Sequence, residues 1–146
     1  MTSENRFVDN GNGTVTDLEK NLMWNHTDSM NDLEKWMNYQ DSADYARELN
    51  EKRFAGYDNW RLPTYDELKM IYDPAYSNTD KFGKEIHIPS CFSSGGGFTI
   101  IAGQIPGRMR CWILNIRDGE FSQPDGLWTL ADATRAIRTI HPDDNQ

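Results

Sequence analysis

The sequence predicts an α+β fold: two helices packed on a small twisted antiparallel sheet, with a loop-rich upper half. Three observations point there. Thr64 and Glu67 stand three residues apart, ahead of Leu68, Ile71 and Tyr72. That is the spacing of a capping box opening a short amphipathic helix. Tyr39, Ala43, Ala46 and Leu49 repeat every three to four residues, with Asp44, Arg47 and Glu48 between them, which predicts a second helix over residues 39–50. The rest is short β-prone runs between Gly, Asn and Asp turns. Only 37% of the chain is hydrophobic, yet 12% is aromatic. A core of large rings under many loops suits that balance better than a helical bundle does.

In chain order, Phe7-Val8 and Thr14-Val15-Thr16 flank an Asn/Gly turn and predict a hairpin, and Leu22-Met23-Trp24 a further strand. Asp9, Asn12 and Asp17 in this region suggest a calcium loop. From Asp9, however, the third and fifth positions are Gly11 and Gly13 and the sixth is Thr14, where calcium needs oxygen, oxygen and glycine. Residues 26–38 are polar with Met30, Leu33, Trp36 and Met37 interspersed, a helical lead-in whose Met and Trp side chains are expected to pack under a loop, with a partner surface as the alternative. Pro63 keeps Leu62 extended, so Trp60-Arg61-Leu62 turns sharply into the capped helix, which Asp73-Pro74 stops. Residues 73–110 are the irregular middle, where Ser93-Ser94-Gly95-Gly96-Gly97 calls for backbone freedom. Trp112, Leu114 and Ile116 alternate with Cys111, Ile113 and Asn115, a half-buried strand turned back at Asp118-Gly119. Residues 135–140 alternate again as the last strand.

With 146 residues, the chain reads as a single domain over 1–146, with tails at 1–5 and 141–146. Its net charge of −8 is uneven: residues 1–80 hold sixteen acids and eight bases, residues 81–146 seven of each. Such a chain does not attract a phosphate backbone, so no nucleic-acid partner is expected. No apolar run reaches the roughly 20 residues of a membrane helix, so no membrane insertion is expected. The first residues lack the apolar core of a signal peptide. A cytoplasmic protein and an exported one without its native leader both fit that opening. The two cysteines, Cys91 and Cys111, flank a Gly-rich stretch in strand-like segments. Paired strands would bring them within the roughly 4.4–6.8 Å Cα separation of a bridge; otherwise they are two buried free thiols.

Trp60-Arg61-Leu62-Pro63-Thr64-x-x-Glu67-Leu68 resembles the hallmark of the Lcl-type C-terminal domain family of collagen-like adhesins. The resemblance covers nearly the whole chain. Residues 6–17 look like the family's opening hairpin, residues 112–119 its penultimate hairpin, and Arg135-Ala136-Ile137-Arg138 its closing Arg-x-Val-Arg strand. Cys91-Phe92-Ser93-Ser94 departs from it, standing where the family usually has an aromatic and a Trp before two serines. The resemblance implies a C-type-lectin-like fold. It also brings family adhesins implicated in binding glycosaminoglycans, but this chain lacks the basic patch a polyanion requires.

The most specific function expected is non-catalytic recognition of a protein or glycan through loops 93–110 and 122–131. Arg108, Arg110, Gln123, Asp125 and Trp128 are the expected contact residues, while Trp60, Arg61, Pro63, Thr64 and Glu67 form a structural corner. No cofactor is expected. Two alternatives stand beside this reading. The Arg-Leu-Pro-Thr-x-x-Glu run is also similar to one in formylglycine-generating and related oxidases, for which Cys91 and Cys111 would be the reactive pair. Gln123-Pro124-Asp125 matches the tripeptide by which calcium-dependent lectins select galactose-type sugars. Calcium wants six to eight oxygens, and the companion residues near Trp128 are missing. His26, His87 and His141 are scattered with no short metal spacing.

Overall fold

The computed structural model describes residues 6–142. Strands β1 (Phe7–Asp9), β2 (Thr14–Asp17) and β3 (Leu22–Asn25) form an antiparallel meander, closed by β9 (Ile137–Thr139) beside β3 in the order β1-β2-β3-β9. The register pairs Val15 with Trp24 and Trp24 with Ile137. Of the residues that suggested a calcium loop, Asp9 and Asn12 hold the first turn, while Asp17 ends β2 and pairs with Arg6. Asp9 accepts from the Gly11 N–H at 2.9 Å, and Asn12 from the Thr14 hydroxyl at 2.6 Å. Local side-chain acceptors of this kind stabilise tight turns.

Among the described residues three α-helices form where two were expected. The additional one is α1 (Ser29–Leu33), opened by a capping box of Asp28 and Asn31 and ended by Glu34 in the left-handed region at φ 55°. The lead-in expected over residues 26–38 thus contains a short helix of its own. Next come α2 (Tyr39–Glu51), a 3-10 turn at Phe54–Gly56, and α3 (Tyr65–Ile71). β4 (Asn78–Thr79) and β5 (Glu85–Ile86) make a small ladder, and β6 (Thr99–Gln104), β7 (Cys111–Asn115) and β8 (Phe121–Ser122) a second meander. Among the described residues the single small sheet is therefore three antiparallel sheets of four, two and three strands. No described helix is long and apolar enough to cross a membrane.

The main core lies where the two meanders and α3 meet. Phe7, Val15, Leu22, Trp24 and Ile137 face Leu68, Ile71, Ile100, Ala102 and Leu114. Because side chains alternate along a strand, the next residues serve the opposite faces. Met23 and Ala136 pack with Met37, Tyr45, Leu49 and Trp60 under α2. Ile101, Cys111 and Ile113 pack with Leu127 and Leu130, with Tyr39 alongside. Both faces of the second meander are thus covered in its middle. This corrects the half-buried reading of residues 111–116: Ile113 is 4% exposed and Leu114 is fully buried.

The segment 93–110 is not one loop. Residues 99–104 are strand β6, whose first four residues are buried, so only 93–98 and the tip at 105–110 are irregular. The six residues of β6 hold those two irregular pieces about 20 Å apart. The tail expected over residues 1–5 lies outside the described residues, as do 143–146 of the tail expected at the other end.

Candidate functional site

The Trp60–Glu67 corner locks α3 to the sheets. Arg61 pairs its backbone with Ile137 in both directions, at 2.8 and 2.9 Å, extending the first sheet beyond β9. Trp60 is 3% exposed, and its indole N–H donates to the Phe54 carbonyl at 3.1 Å. Asn50 of α2 grips the Trp60 backbone from both sides, accepting at 2.6 Å and donating at 2.9 Å. The Arg61 guanidinium meets Glu67 with two parallel bonds of 2.7 and 2.8 Å and donates to the Thr139 hydroxyl at 2.9 Å. Glu67 also accepts from the Thr64 N–H at 2.9 Å, while the Thr64 hydroxyl accepts from the Glu67 N–H at 3.2 Å. Burial pushes the Glu67 carboxyl up, but the bonds from Arg61 and Thr64 and the Arg61 charge outweigh it and leave it below the usual range. Pro63 is buried, and its carbonyl accepts from Gly103 of β6 at 2.9 Å. The hydrogen bonds of this corner are all made to the scaffold itself, although the Arg61 side chain stays 38% exposed.

The opposite situation holds at the far end of the second meander. The β6–β7 turn closes with the Ile105 N–H on the Arg110 carbonyl at 2.9 Å, and Gly107 supplies the positive φ of 75° the turn needs. Gln104 donates to the Arg108 carbonyl at 2.6 Å. The loop after β8 is pegged down by buried Leu127 and Leu130, and the Leu127 carbonyl accepts from the Tyr39 N–H at the start of α2. Arg110 ties the two loops, pairing with the Asp125 carboxylate and pointing one N–H at the Gln123 carbonyl 3.5 Å away. Met109 and Trp128, one on each loop, are both 55% exposed. Of the five expected contact residues, Arg110, Gln123 and Asp125 are thus brought together. Trp128 stands on the pegged loop beside them, and Arg108 is exposed at the hairpin tip. Met109 was not anticipated, since nothing in its sequence neighbourhood distinguishes an exposed Met from a core one.

Cys91 and Cys111 are both free thiols in separate packing regions. Cys91 sits in a turn, not a strand, against the main core, whereas Cys111 is fully buried in β7 within the third cluster. The bridge does not form. Burial pushes both thiols up, Cys111 to about 11, so neither is poised as a thiolate. Among the described residues no group of three or more His, Cys, Asp or Glu side chains could hold a metal ion.

A third surface feature left no local signal because its members come from distant segments. Trp36 stacks on Phe82 with ring centroids 6.5 Å apart, and Phe98 meets the edge of Trp36 at 5.4 Å. Arg117 lies 4.0 Å from the Phe98 ring centroid and is held by fully buried Asp80 at 2.7 Å. Lys81 reaches over both Trp36 and Phe82. These rings pack on one another with cations over their faces, while Phe82 stays 57% exposed.

A mixed helix–strand domain with small antiparallel sheets, a locked arginine corner and an open loop end is the class these observations define. The sequence matches the family of the Lcl C-terminal domain over residues 13–138, and the chain belongs to that family. No curated protein and no solved structure matches the chain.

Proposed function

We propose that this domain is a non-catalytic recognition module that holds a protein or glycan ligand on the surface formed by turn 105–110 and loop 122–131. The observation that carries this is the pair of large apolar side chains, Met109 and Trp128, each 55% exposed on two loops joined by the Arg110–Asp125 pair. Exposed aromatic and Met side chains flanked by an arginine are the composition of binding hot spots. Loops held on a rigid sheet are where such surfaces are usually built. The finer reading, a C-type-lectin-like fold used in an adhesin-like role, is supported by the family's hallmark corner and by the return of β9 beside β3, the strand that follows the opening hairpin. The net charge of −8 argues for a neutral ligand or one with a single anionic group rather than a polyanion.

The test is parallel selection on a glycan array and a random-peptide display library, using the native domain and the Trp128→Ala and Arg110→Ala variants. Ligands enriched by the native domain and lost by both variants support the proposal. No enrichment, or the same ligands on all three proteins, would overturn it.

A further inference from the structure

The first turn carries two Asn-Gly steps in succession, Asn10-Gly11-Asn12-Gly13. Asparagine is a labile residue. A glycine after it leaves the next backbone nitrogen unhindered, free to approach the asparagine carboxamide closely. Attack of that nitrogen on Cγ expels ammonia and closes a five-membered imide. As sequence the two steps are equivalent, and the fold makes them different.

At Asn10 the fold opposes the reaction. Its side-chain nitrogen donates to the Thr14 and Thr16 hydroxyls at 2.9 and 2.8 Å, so the leaving group is held by both hydrogens. The attacking group would be the Gly11 nitrogen, whose N–H donates to the Asp9 carboxylate at 2.9 Å. A negative charge beside that nitrogen disfavours the deprotonated amide that must form.

At Asn12 the arrangement is reversed. Among the described residues neither the Asn12 side-chain nitrogen nor the Gly13 N–H has a hydrogen-bond partner. The Asn12 side-chain oxygen instead accepts twice from Thr14, from the N–H at 3.2 Å and from the hydroxyl at 2.6 Å. The hydroxyl is aimed, because the Asn10 amide donates to its oxygen and leaves its proton for Asn12. When the Gly13 nitrogen bonds to Cγ, negative charge develops on this same oxygen, and two donors already face it as in an oxyanion hole. Thr14 is fully buried, so water does not compete for its hydroxyl, whereas Asn12 is exposed and water reaches the imide. The turn is held still by the His26 N–H, which donates to the Gly13 carbonyl at 2.8 Å, and by the Phe54 ring, which a Cβ on Gly13 would meet at 2.8 Å.

We propose that Asn12 is a self-modification site, converted through an imide with Gly13 to aspartyl and isoaspartyl residues while Asn10 is spared. The Gly13 nitrogen gives its proton to solvent hydroxide and bonds to Asn12 Cγ. The Cγ–Nδ2 bond breaks, and the departing nitrogen takes a proton from water and leaves as ammonia. Water then opens the imide at either carbonyl. One opening gives aspartate. The other routes the main chain through Cγ and lengthens it by one carbon inside the β1–β2 turn. Both add a negative charge to the turn that already holds Asp9.

The experiment is incubation of the whole domain in mildly alkaline buffer made with isotopically labelled water. Fragmentation mass spectrometry locates the label, and enzymatic methylation counts the isoaspartyl groups. A parallel sample in strong denaturant should convert both Asn-Gly steps at comparable rates. In the folded domain Asn12 is expected to convert at least as fast as in denaturant, and about tenfold or more faster than Asn10. Thr14→Val removes the hydroxyl and should slow Asn12 by about tenfold or more, whereas Thr14→Ser keeps the hydroxyl and should convert like the native domain. If Thr14→Val does not fold, it will convert at the rate of the denatured sample, and the selectivity of the native domain decides. Equal conversion of Asn10 and Asn12 in the folded native domain, slower conversion of Asn12 there than in denaturant, or an undiminished Asn12 rate in folded Thr14→Val would each overturn the proposal.

Discussion

Two arginine–carboxylate pairs of the same chemistry stand at different places in this domain. Arg61 and Glu67 have side chains 38% and 12% exposed, whereas Arg110 and Asp125 are 44% and 88% exposed. The difference lies less in the arginines than in the acids and their further partners. Glu67 is shared with the Thr64 N–H, and Arg61 with Thr139, so each ion is held by several elements at once. Asp125 projects into solvent, and the further partner of the Arg110 guanidinium among the described residues is the Gln123 carbonyl. Partly withdrawn and multiply bonded, the first pair organises the fold. The second is of the kind worth about 0–1 kcal/mol, and it can be exchanged for a ligand at little cost.

Breaking the corner should therefore have the largest effects. Trp60→Ala is expected to cost about 3–5 kcal/mol, as for other buried aromatics, seen as a lower denaturant midpoint. Glu67→Ala removes the carboxylate that accepts from both the Arg61 guanidinium and the Thr64 N–H and is expected to cost about 1.5–3 kcal/mol. The pH dependence has a definite sign. The folded Glu67 carboxyl is held below its unfolded value, which is about 4.3. Its stabilisation is fully present above that value and is lost as pH falls through the folded one. Native protein should lose more stability than Glu67→Gln as pH is lowered from about 5 through the acid range. Parallel slopes for the two proteins would show that Glu67 is not the group responsible.

The corner was legible because its bonds are local. Thr64 and Glu67 are three residues apart, so their spacing indicates the capping box, whereas Arg61 was placed in the corner without its acid being identified. The helix over residues 39–50 was legible as an element, but its buried face was not. The apolar stripe suggested Tyr39, Ala43, Ala46 and Leu49, whereas the buried residues are Ser42, Tyr45, Ala46 and Leu49. Ser42 and Tyr45 are accepted in the interior because Thr134 and Asn25 supply hydrogen bonds at 2.6 and 2.8 Å. Those partners are distant in sequence, and a hydrophobic pattern carries no record of them. The same reason hides the close approach at Gly96. A Cβ there would stand 2.5 Å from the Asp28 carboxylate, so the residue is small to make room, not to adopt an unusual backbone angle. At the loop end, spacing identified Gln123, Asp125 and Trp128 as a group, but only the folded β6–β7 hairpin delivers Arg110 to them.

Thr64→Ala sharpens the comparison within the corner itself. It removes the hydroxyl that caps α3 while leaving the Arg61–Glu67 bonds and the Thr64 N–H in place. A loss of about 1 kcal/mol is expected, the usual value for a missing N-cap. A loss as large as that of Glu67→Ala would mean that the cap, rather than the ion pair, organises the turn.

The smallest effect on stability is expected from Arg110→Ala. Among the described residues its carboxylate partner is Asp125, which is mostly in water and can be solvated when the guanidinium is gone. Buried Leu127 and Leu130 continue to peg the second loop, and the Tyr39 N–H still donates to the Leu127 carbonyl. The change in folding free energy should stay within about 0.5 kcal/mol, as for other surface substitutions. The relative mobility of the two loops should nevertheless rise, because the side chain that ties them is lost. Amide hydrogen exchange checks both halves at once. Faster exchange confined to residues 105–110 and 122–131, at an unchanged denaturant midpoint, is the expected result. A lowered midpoint would show that Arg110 belongs to the scaffold as Arg61 does, and that the loop surface is not the readily exchanged site proposed for it.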